Sequence, residues 1–293
     1  MSDARIPHYE STVSSLTNQN VIPVRPADSM TEPNAQVYAR VTSDYRQVHL
    51  EPAERVLLER VGTQWGSVAM LDLGVGAGRT AYTFAAICRL YIGLDYATAM
   101  IDACRSRLGE TTRARYVVGD ARALPEFADG AFDVALFSFN GIDTIGHDDR
   151  QRALREIRRV LAPGGLFLFS SHTLRRFPFV LDRPAWSWRH PVRSLRWRLG
   201  AVYRWIRLTN LNRGEDPVVA KVRGWAVLTD EAHNYSLRQY YVSPGEVARQ
   251  VAAAGFTLEA TLDAYGQELD DSAECADLWL HYLCVASGDG AAQ

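Results

Sequence analysis

The sequence has few of the features that mark extracellular, metal-binding or membrane-spanning proteins. Its four cysteines include no CxxC pair, so neither a zinc site nor a disulfide framework is indicated. No stretch approaches the roughly 20 apolar residues of a membrane span, and the first residues lack a basic start followed by an apolar run. A net charge of −2 disfavours whole-chain attraction to nucleic acid. We therefore expect a cytoplasmic protein without an integral membrane span.

The sequence contains enough apolar residues for one substantial hydrophobic core, since 47% of the 293 residues are hydrophobic. Short apolar runs alternate with helical stretches, which is typical of buried parallel strands in a doubly wound α/β sheet. After a long interruption, a helix and two further strands complete a predicted seven-stranded, mostly parallel, Rossmann-like sheet. The runs cover 68–74, 90–95, 115–120, 132–138, 165–171, about 256–265 and 280–287.

The same pattern divides the chain into four parts. Residues 1–33 are polar and aperiodic, and we expect a mobile extension there. Residues 34–173 are expected to hold the α/β core behind an N-terminal helical lid. An inserted helical cap is predicted for 174–243, and 244–293 would complete the core.

The strongest motif follows the first strand, where Asp72 precedes Gly74, Gly76 and Gly78. Glycines in such a turn let the backbone approach a ligand closely. A dinucleotide-binding loop would need glycine at position 79, where Arg79 stands. The carboxylate of Asp72 would repel a pyrophosphate and favour an ammonium group.

Two further acids end the next two strands. Asp95 could accept both hydroxyls of a ribose. Asp120 could accept from an adenine amino group, while the N–H of Ala121 meets a ring nitrogen. Each acid alone could be a helix N-cap or a solvated loop residue. Together with the glycine loop, the three indicate an adenosine ligand that carries an ammonium group.

With these residues, positions 68–171 closely resemble class I S-adenosylmethionine-dependent methyltransferases. The resemblance implies S-adenosylmethionine as cofactor, an antiparallel last strand, and Tyr96 and Met100 near ribose and adenine. We place Phe137 with the cofactor-binding residues. The acceptor is not identified by the resemblance. The matching residues are Asp72, Gly74, Gly76, Gly78, Asp95-Tyr96, Met100, Gly119-Asp120-Ala121, Phe132-Asp133-Val134 and Leu161-Ala162-Pro163-Gly164-Gly165.

A general base is required only if the acceptor must lose a proton. His172 follows the fifth strand and His233 lies in the cap, and we predict these two as catalytic ahead of His147. Aromatic residues would line the acceptor pocket and suit a planar or apolar small molecule. The predicted pocket residues are Tyr38, Tyr45, Phe139, Trp225, Tyr240 and Tyr241.

The cap is rich in arginine and tryptophan, and three interpretations remain open. If 192–209 is helical, Leu195, Leu199, Val202 and Ile206 share one face, which could lie on the domain with the arginines solvated. The helix could instead dock at a membrane surface. Its arginines could also clamp an anionic substrate.

The sequence also bears on functions other than methyl transfer to a small molecule. Nucleic acid as substrate is disfavoured, because Ser138-Phe139-Asn140-Gly141 replaces the Pro-Pro-aromatic loop of amino-methylating enzymes. Aminopropyl transfer and a non-catalytic regulatory or scaffold role stay open as alternatives. Whether oxygen, nitrogen or carbon is methylated is undecided. The oligomeric state is not predicted, although a free N-terminal arm is compatible with exchange between chains.

Overall fold

The computed structural model describes residues 48–177, 189–270 and 277–288, without the side chains of Arg176, Ala232 and His233. The predicted mobile extension, the first lid helix, Tyr38 and Tyr45 therefore lie outside the described residues. None of the helices in these three ranges combines the length and the apolar character that crossing a membrane requires.

The described chain alternates strands and helices as far as the fifth strand. The helices are α1 (Pro52–Val61), α2 (Ala81–Ile87), α3 (Thr98–Leu108), α4 (His147–Val160), α5 (Pro191–Leu211), α6 (Pro217–Arg223) and α7 (Pro244–Ala253). The strands are β1 (Ala69–Leu73), β2 (Leu90–Asp95), β3 (Ala114–Val118), β4 (Phe132–Phe137), β5 (Leu161–Thr173), β6 (Trp225–Thr229), β7 (Arg238–Val242), β8 (Phe256–Leu262) and β9 (Trp279–Ala286).

The sheet confirms the predicted fold class. Strands β3, β2, β1, β4 and β5 lie side by side and pair in parallel. Strand β9 pairs antiparallel with β5, from Leu166 opposite Val285 to His172 opposite Trp279, and β8 pairs antiparallel with β9. The strand order reverses between β1 and β4, and open α/β folds bind their ligands at the carboxyl ends of the strands beside such a switch point.

Burial on both faces explains why β1 and β2 are continuous apolar runs. Successive side chains point to opposite faces, so Met70 enters one core cluster and Leu71 the other. Helix α4 covers one face with Leu154, Ile157 and its other apolar residues. The parallel strands are thereby held rigidly, and the loops at their carboxyl ends are held with them.

The predicted helical cap over 174–243 is helical only in part. Strands β6 and β7 form an antiparallel hairpin, and β7 continues the sheet by pairing in parallel with the end of β5 at His172 and Thr173. Burial alternates along β6, where Ala226 and Leu228 are buried, as in a strand with one face in the core. The sheet thus resumes before residue 243, and the described residues contribute nine strands to it where seven were predicted.

Helix α5 has the helical structure considered for 192–209. Ser194, Ala201 and Leu208 are its buried residues. Leu195 and Leu199 are 51% and 60% exposed, which disagrees with the interpretation in which their face lies on the domain. The pattern could show that an apolar face exists, but it could not show which face meets the protein.

Candidate functional site

A cleft of about 200 Å³ opens at the carboxyl ends of β1, β2, β3 and β4. Its walls come from four loops that the parallel strands bring to one edge of the sheet. The predicted residues in these walls are Asp72, Gly74, Gly76, Asp95, Tyr96, Met100, Asp120, Ala121, Phe137 and Phe139. The structure therefore brings together nine of the ten predicted cofactor-binding residues, and Gly78 is the exception.

Asp72 lies at the closed end of the cleft and is 1% exposed. Its Oδ2 accepts hydrogen bonds from the hydroxyls of Thr80 and Tyr91, both at 2.5 Å. Burial nevertheless raises the pKa of the Asp72 carboxyl to about 7, because the hydroxyl donors only partly offset the desolvation of its charge. A cation bound beside this carboxyl would restore its charged form.

Asp95 joins the end of β2 to the glycine loop. Its Oδ2 accepts from the backbone N–H of Gly76 at 3.0 Å, and its Oδ1 accepts from that of Ala97 at 2.9 Å. Burial raises the pKa of Asp95 to about 6, against the lowering effect of these two donors. The loop itself needs glycine at Gly74, where φ is +64° and a Cβ would lie 2.9 Å from Phe137 Cε2.

Asp120 lines the cleft, but its carboxylate is already engaged. Arg122 donates from Nε and a terminal nitrogen to both oxygens of Asp120, at 2.7–3.0 Å. The same guanidinium also donates to Asp149 at 2.5 Å. Adenine would therefore meet a carboxylate whose charge is balanced. Arg122 lies only two residues after Asp120 in the sequence, and that spacing was the available signal.

Gly78 serves packing, since its missing side chain makes room for α3. Its φ is +86°, and an added Cβ would lie 2.7 Å from both Cys104 Sγ and Leu108 Cδ1. We expect Gly78→Ala to lower the free energy of unfolding by about 2–3 kcal/mol, through backbone strain and overpacking.

The matched control for Gly78→Ala is Gly109→Ala. Gly109 also has a positive φ, of +67°, but a Cβ there meets nothing within 4 Å. We expect only the strain cost, about 1 kcal/mol. Urea unfolding of both variants separates the two costs, and equal losses would contradict a packing role for Gly78.

Sequence reasoning missed a buried ion pair beside the glycine loop. Arg79 donates to both oxygens of Glu54 in α1, at 2.5 and 2.7 Å, and the Glu54 side chain is fully buried. The guanidinium also reaches Ser138 Oγ at 3.2 Å and lies 4.7 Å from the centre of the Phe139 ring. The pair thus fastens α1 to the loop after β4. Arg79 directly after the glycines was the available signal, but its partner is 25 residues away.

A second buried group surrounds His172 at the end of β5. His172 Nδ1 lies 2.8 Å from Asp143 Oδ2, which also accepts from the His172 backbone N–H at 2.6 Å. Arg150 and Ser171 donate to Asp143 Oδ1 at 2.7 and 2.5 Å. Because Asp143 is an ion-paired carboxylate, it favours the tautomer of His172 that carries its proton on Nδ1.

The loop after β4 lies between His172 and the cleft. Asn140 Nδ2 is 3.3 Å from His172 Nε2, while the neighbouring Phe139 and Gly141 line the cleft. Phe139 and Asn140 both have positive φ, +52° and +56°, which is uncommon for residues other than glycine. Such strained backbone occurs often at functional sites.

Two predicted acceptor residues lie elsewhere. Tyr240 is fully buried in the core, and its hydroxyl is 2.7 Å from His147 Nδ1 and 3.0 Å from Gln250 Nε2. The Trp225 ring stacks on His147, with centroids 4.3 Å apart. Burial lowers the pKa of His147. The prediction that Tyr240 lines an acceptor pocket is therefore wrong, because the side chain of Tyr240 packs in the hydrophobic core.

The remaining predictions divide between the described and undescribed parts. Tyr241 packs against the His172 ring at 5.0 Å and donates its hydroxyl to Asp230 at 2.7 Å. The backbone of His233 belongs to a short 3-10 helix, Ala232–Tyr235. The side chain of His233 lies outside the described residues, as do Tyr38 and Tyr45.

The segment that forms most of this cleft is similar to known proteins. Residues 70–165 match the family model described as a methyltransferase domain. An uncharacterized methyltransferase of Bacillus subtilis is 34% identical over 115 residues, which are 39% of this chain and 44% of that protein. An O-methyltransferase of Aspergillus nomiae is 33% identical over 127 residues, 41% of this chain and 54% of the relative. The chain thus spans about half the length of these curated relatives.

A solved structure extends the likeness of fold beyond the matched domain. The 1,6-didemethyltoxoflavin-N1-methyltransferase of Burkholderia thailandensis, crystallised with S-adenosylhomocysteine, superposes with a TM-score of 0.54 at 16% identity. The match covers 90% of this chain and 93% of that one. Residues 70–165 thus resemble a methyltransferase domain, and the fold around the cleft is similar to that of this solved methyltransferase.

Proposed function

We propose that the protein transfers a methyl group from S-adenosylmethionine to a small-molecule acceptor. The observation that carries the proposal is the single cleft at the switch point, which gathers Asp72, Asp95 and Asp120 from three successive strand ends. Relatives named for O-methylation and for N1-methylation of a small heterocycle support a small acceptor. They leave open whether oxygen, nitrogen or carbon is methylated.

The residues in the cleft fit the cofactor by their chemistry. Asp72 offers a carboxylate to the methionine ammonium, Asp95 offers oxygens to the ribose, and the N–H of Ala121 offers a donor to adenine. Apolar side chains such as Met100 and Ile145 supply walls for the flat rings. When bound, S-adenosylmethionine supplies an electrophilic methyl group on a sulfonium. Holding an acceptor in line with that methyl group is the main task of the protein.

We assign the role of general base to His172 when the methyl acceptor must lose a proton. With Nδ1–H donated to Asp143, the lone pair of the His172 ring is on Nε2, the atom that faces Asn140. An acceptor hydroxyl that displaces the Asn140 amide could give its proton to Nε2. Asp143, which is paired with Arg150 at 2.7 Å, would then stabilise the imidazolium.

Calorimetric titration tests the cofactor assignment. The purified protein is titrated side by side with S-adenosylhomocysteine, NADH and decarboxylated S-adenosylmethionine. We expect micromolar binding of S-adenosylhomocysteine and none of NADH. Preference for the decarboxylated compound would instead support aminopropyl transfer, since that ligand lacks the carboxylate beside its ammonium group.

An acceptor screen with methyl-labelled S-adenosylmethionine tests the chemistry. We expect label to move to planar or apolar metabolites that carry a hydroxyl or a ring nitrogen. A protein that binds S-adenosylhomocysteine tightly but labels no member of a broad panel would support the non-catalytic, regulatory alternative.

Replacing Asp95 with Ala should weaken S-adenosylhomocysteine binding by about 1–3 kcal/mol, the range for loss of charge-assisted hydrogen bonds. Asp95→Asn keeps one acceptor oxygen for Gly76 and should lose less. Asp102→Ala is the control, because its side chain is 67% exposed on α3. Unchanged affinity in Asp95→Ala would contradict the ribose assignment.

A further inference from the structure

Helix α5 makes unusually little contact with the rest of the protein. Its buried residues, Ser194, Ala201 and Leu208, recur every seven residues and form one narrow line. Two of the three are small. A helix of 21 residues that is attached along one such line leaves most of its circumference exposed.

The exposed surface of α5 has two distinct stripes. At 100° per residue, aliphatic residues gather about 140° from the buried line. A cationic stripe lies about 100° from the buried line, on the other side of the helix. The aliphatic stripe consists of Val192 (72% exposed), Leu195 (51%), Leu199 (60%), Val202 (39%) and Ile206 (47%). The cationic stripe consists of Arg193, Arg196, Arg204 and Arg207.

The charge of this segment contrasts with the rest of the chain. Residues 189–214 contain seven arginines and no Asp or Glu, although the whole chain has a net charge of −2. Two of the guanidiniums lie on aromatic rings, Arg193 on Trp197 and Arg207 on Tyr235, and Arg204 is 3.4 Å from Glu231. These contacts are at the surface and leave the positive charge available to an anionic partner.

We propose that α5 docks the protein on an anionic phospholipid surface. The aliphatic stripe would enter the boundary between headgroups and acyl chains, and the adjacent arginines would meet the lipid phosphates. Charge complementarity selects this partner. A polynucleotide would use the arginines but would leave the aliphatic stripe in water.

Vesicle sedimentation of the full chain tests the proposal. We expect the protein to bind vesicles of equal parts phosphatidylcholine and phosphatidylglycerol, and to bind pure phosphatidylcholine vesicles at least about tenfold more weakly. Raising the salt from about 0.1 M to about 0.5 M should weaken binding to the mixed vesicles, since the Debye length shortens.

Two double variants separate the stripes. Leu195→Glu with Leu199→Glu places charge in the aliphatic stripe, and Arg193→Glu with Arg196→Glu reverses the cationic one. Each should reduce the partition coefficient at least about tenfold. All four side chains are exposed, so folding should be preserved. The charge-matched control is Arg113→Glu with Arg249→Glu, which changes exposed arginines away from α5.

Three results would overturn the proposal. One is equal binding to mixed and pure phosphatidylcholine vesicles, and another is no binding to either. The third is found by sedimentation velocity without lipid. If the wild type self-associates and the Leu195→Glu, Leu199→Glu variant is monomeric, and neither binds vesicles, the aliphatic stripe is an interface between two copies of this chain.

Discussion

Replacing His172 with Gln should lower the rate of methyl transfer to a hydroxyl acceptor by about 10²–10⁴-fold, the usual contribution of a positioned general base. Gln can still donate to Asp143, so the buried carboxylate keeps a partner in this variant. S-adenosylhomocysteine affinity should not change, because His172 does not line the cofactor cleft. The measurement is the single-turnover rate with the hydroxyl acceptor that the screen identifies.

The pH dependence distinguishes a lost base from a distorted site. Without His172 the acceptor must ionise in solution, so the rate of the variant should rise about tenfold per pH unit below the acceptor pKa. Asp143→Asn tests the positioning of the imidazole. The methyl-transfer rate of this variant should lie between those of the wild type and His172→Gln. If His172→Gln reacts at the wild-type rate and with the wild-type pH profile, the base is another residue, of which His233 is the remaining sequence prediction.

Replacing Asp72 with Asn should stabilise the ligand-free protein increasingly as the pH rises. The pKa of Asp72 is about 7 in the folded chain, against an ordinary value of 3.8 for an aspartate. Below about pH 4 the carboxyl is protonated in both the folded and the unfolded chain, so it does not affect stability. As the pH rises from about 4 to about 7, the unfolded chain releases this proton while the folded chain retains it, and the folded state loses stability. Asn carries no charge, so the variant should be more stable by up to about 4 kcal/mol at about pH 8 and equal below about pH 4.

The same substitution should weaken cofactor binding. At about pH 8 we expect Asp72→Asn to lose about 1.5–3 kcal/mol of S-adenosylhomocysteine affinity, the range of a hydrogen bond to a charged group. For the wild type, affinity should fall as the pH is lowered through about 7, because Asp72 becomes protonated. Urea unfolding and calorimetry at several pH values measure both effects, with Asp102→Asn as the exposed control. A variant that is less stable at alkaline pH and binds equally well would contradict both assignments.

The parallel strands and the glycine loop were predictable because their signals are local. A strand buried on both faces must be apolar, and a backbone that turns sharply toward a ligand needs glycine at positions such as Gly74. The acids Asp72, Asp95 and Asp120 were found for the same reason, since each lies within two residues of the end of a strand. Parallel strands then bring their carboxyl ends to one edge without further information.

The partners of Arg79 and His172 were not predictable, because they come from distant segments. Nothing near Arg79 indicates that Glu54 will meet it, and nothing near His172 indicates Asp143, 29 residues earlier. Tyr240 was misassigned because an aromatic residue on a strand can face the pocket or the core, and only pairing and packing choose between them.

The sequence by itself thus determined the strands and helices of the α/β core, the glycine turn and the acids at the strand ends, since each depends on neighbouring residues. It did not determine β6 and β7, which lie in the predicted helical cap. Tertiary packing decided which carboxylates are neutralised, which histidine meets a buried acid and which face of α5 meets water. These outcomes depend on the burial of charge and apolar area between segments far apart in sequence. Local sequence patterns carry no information about which distant segments pack together.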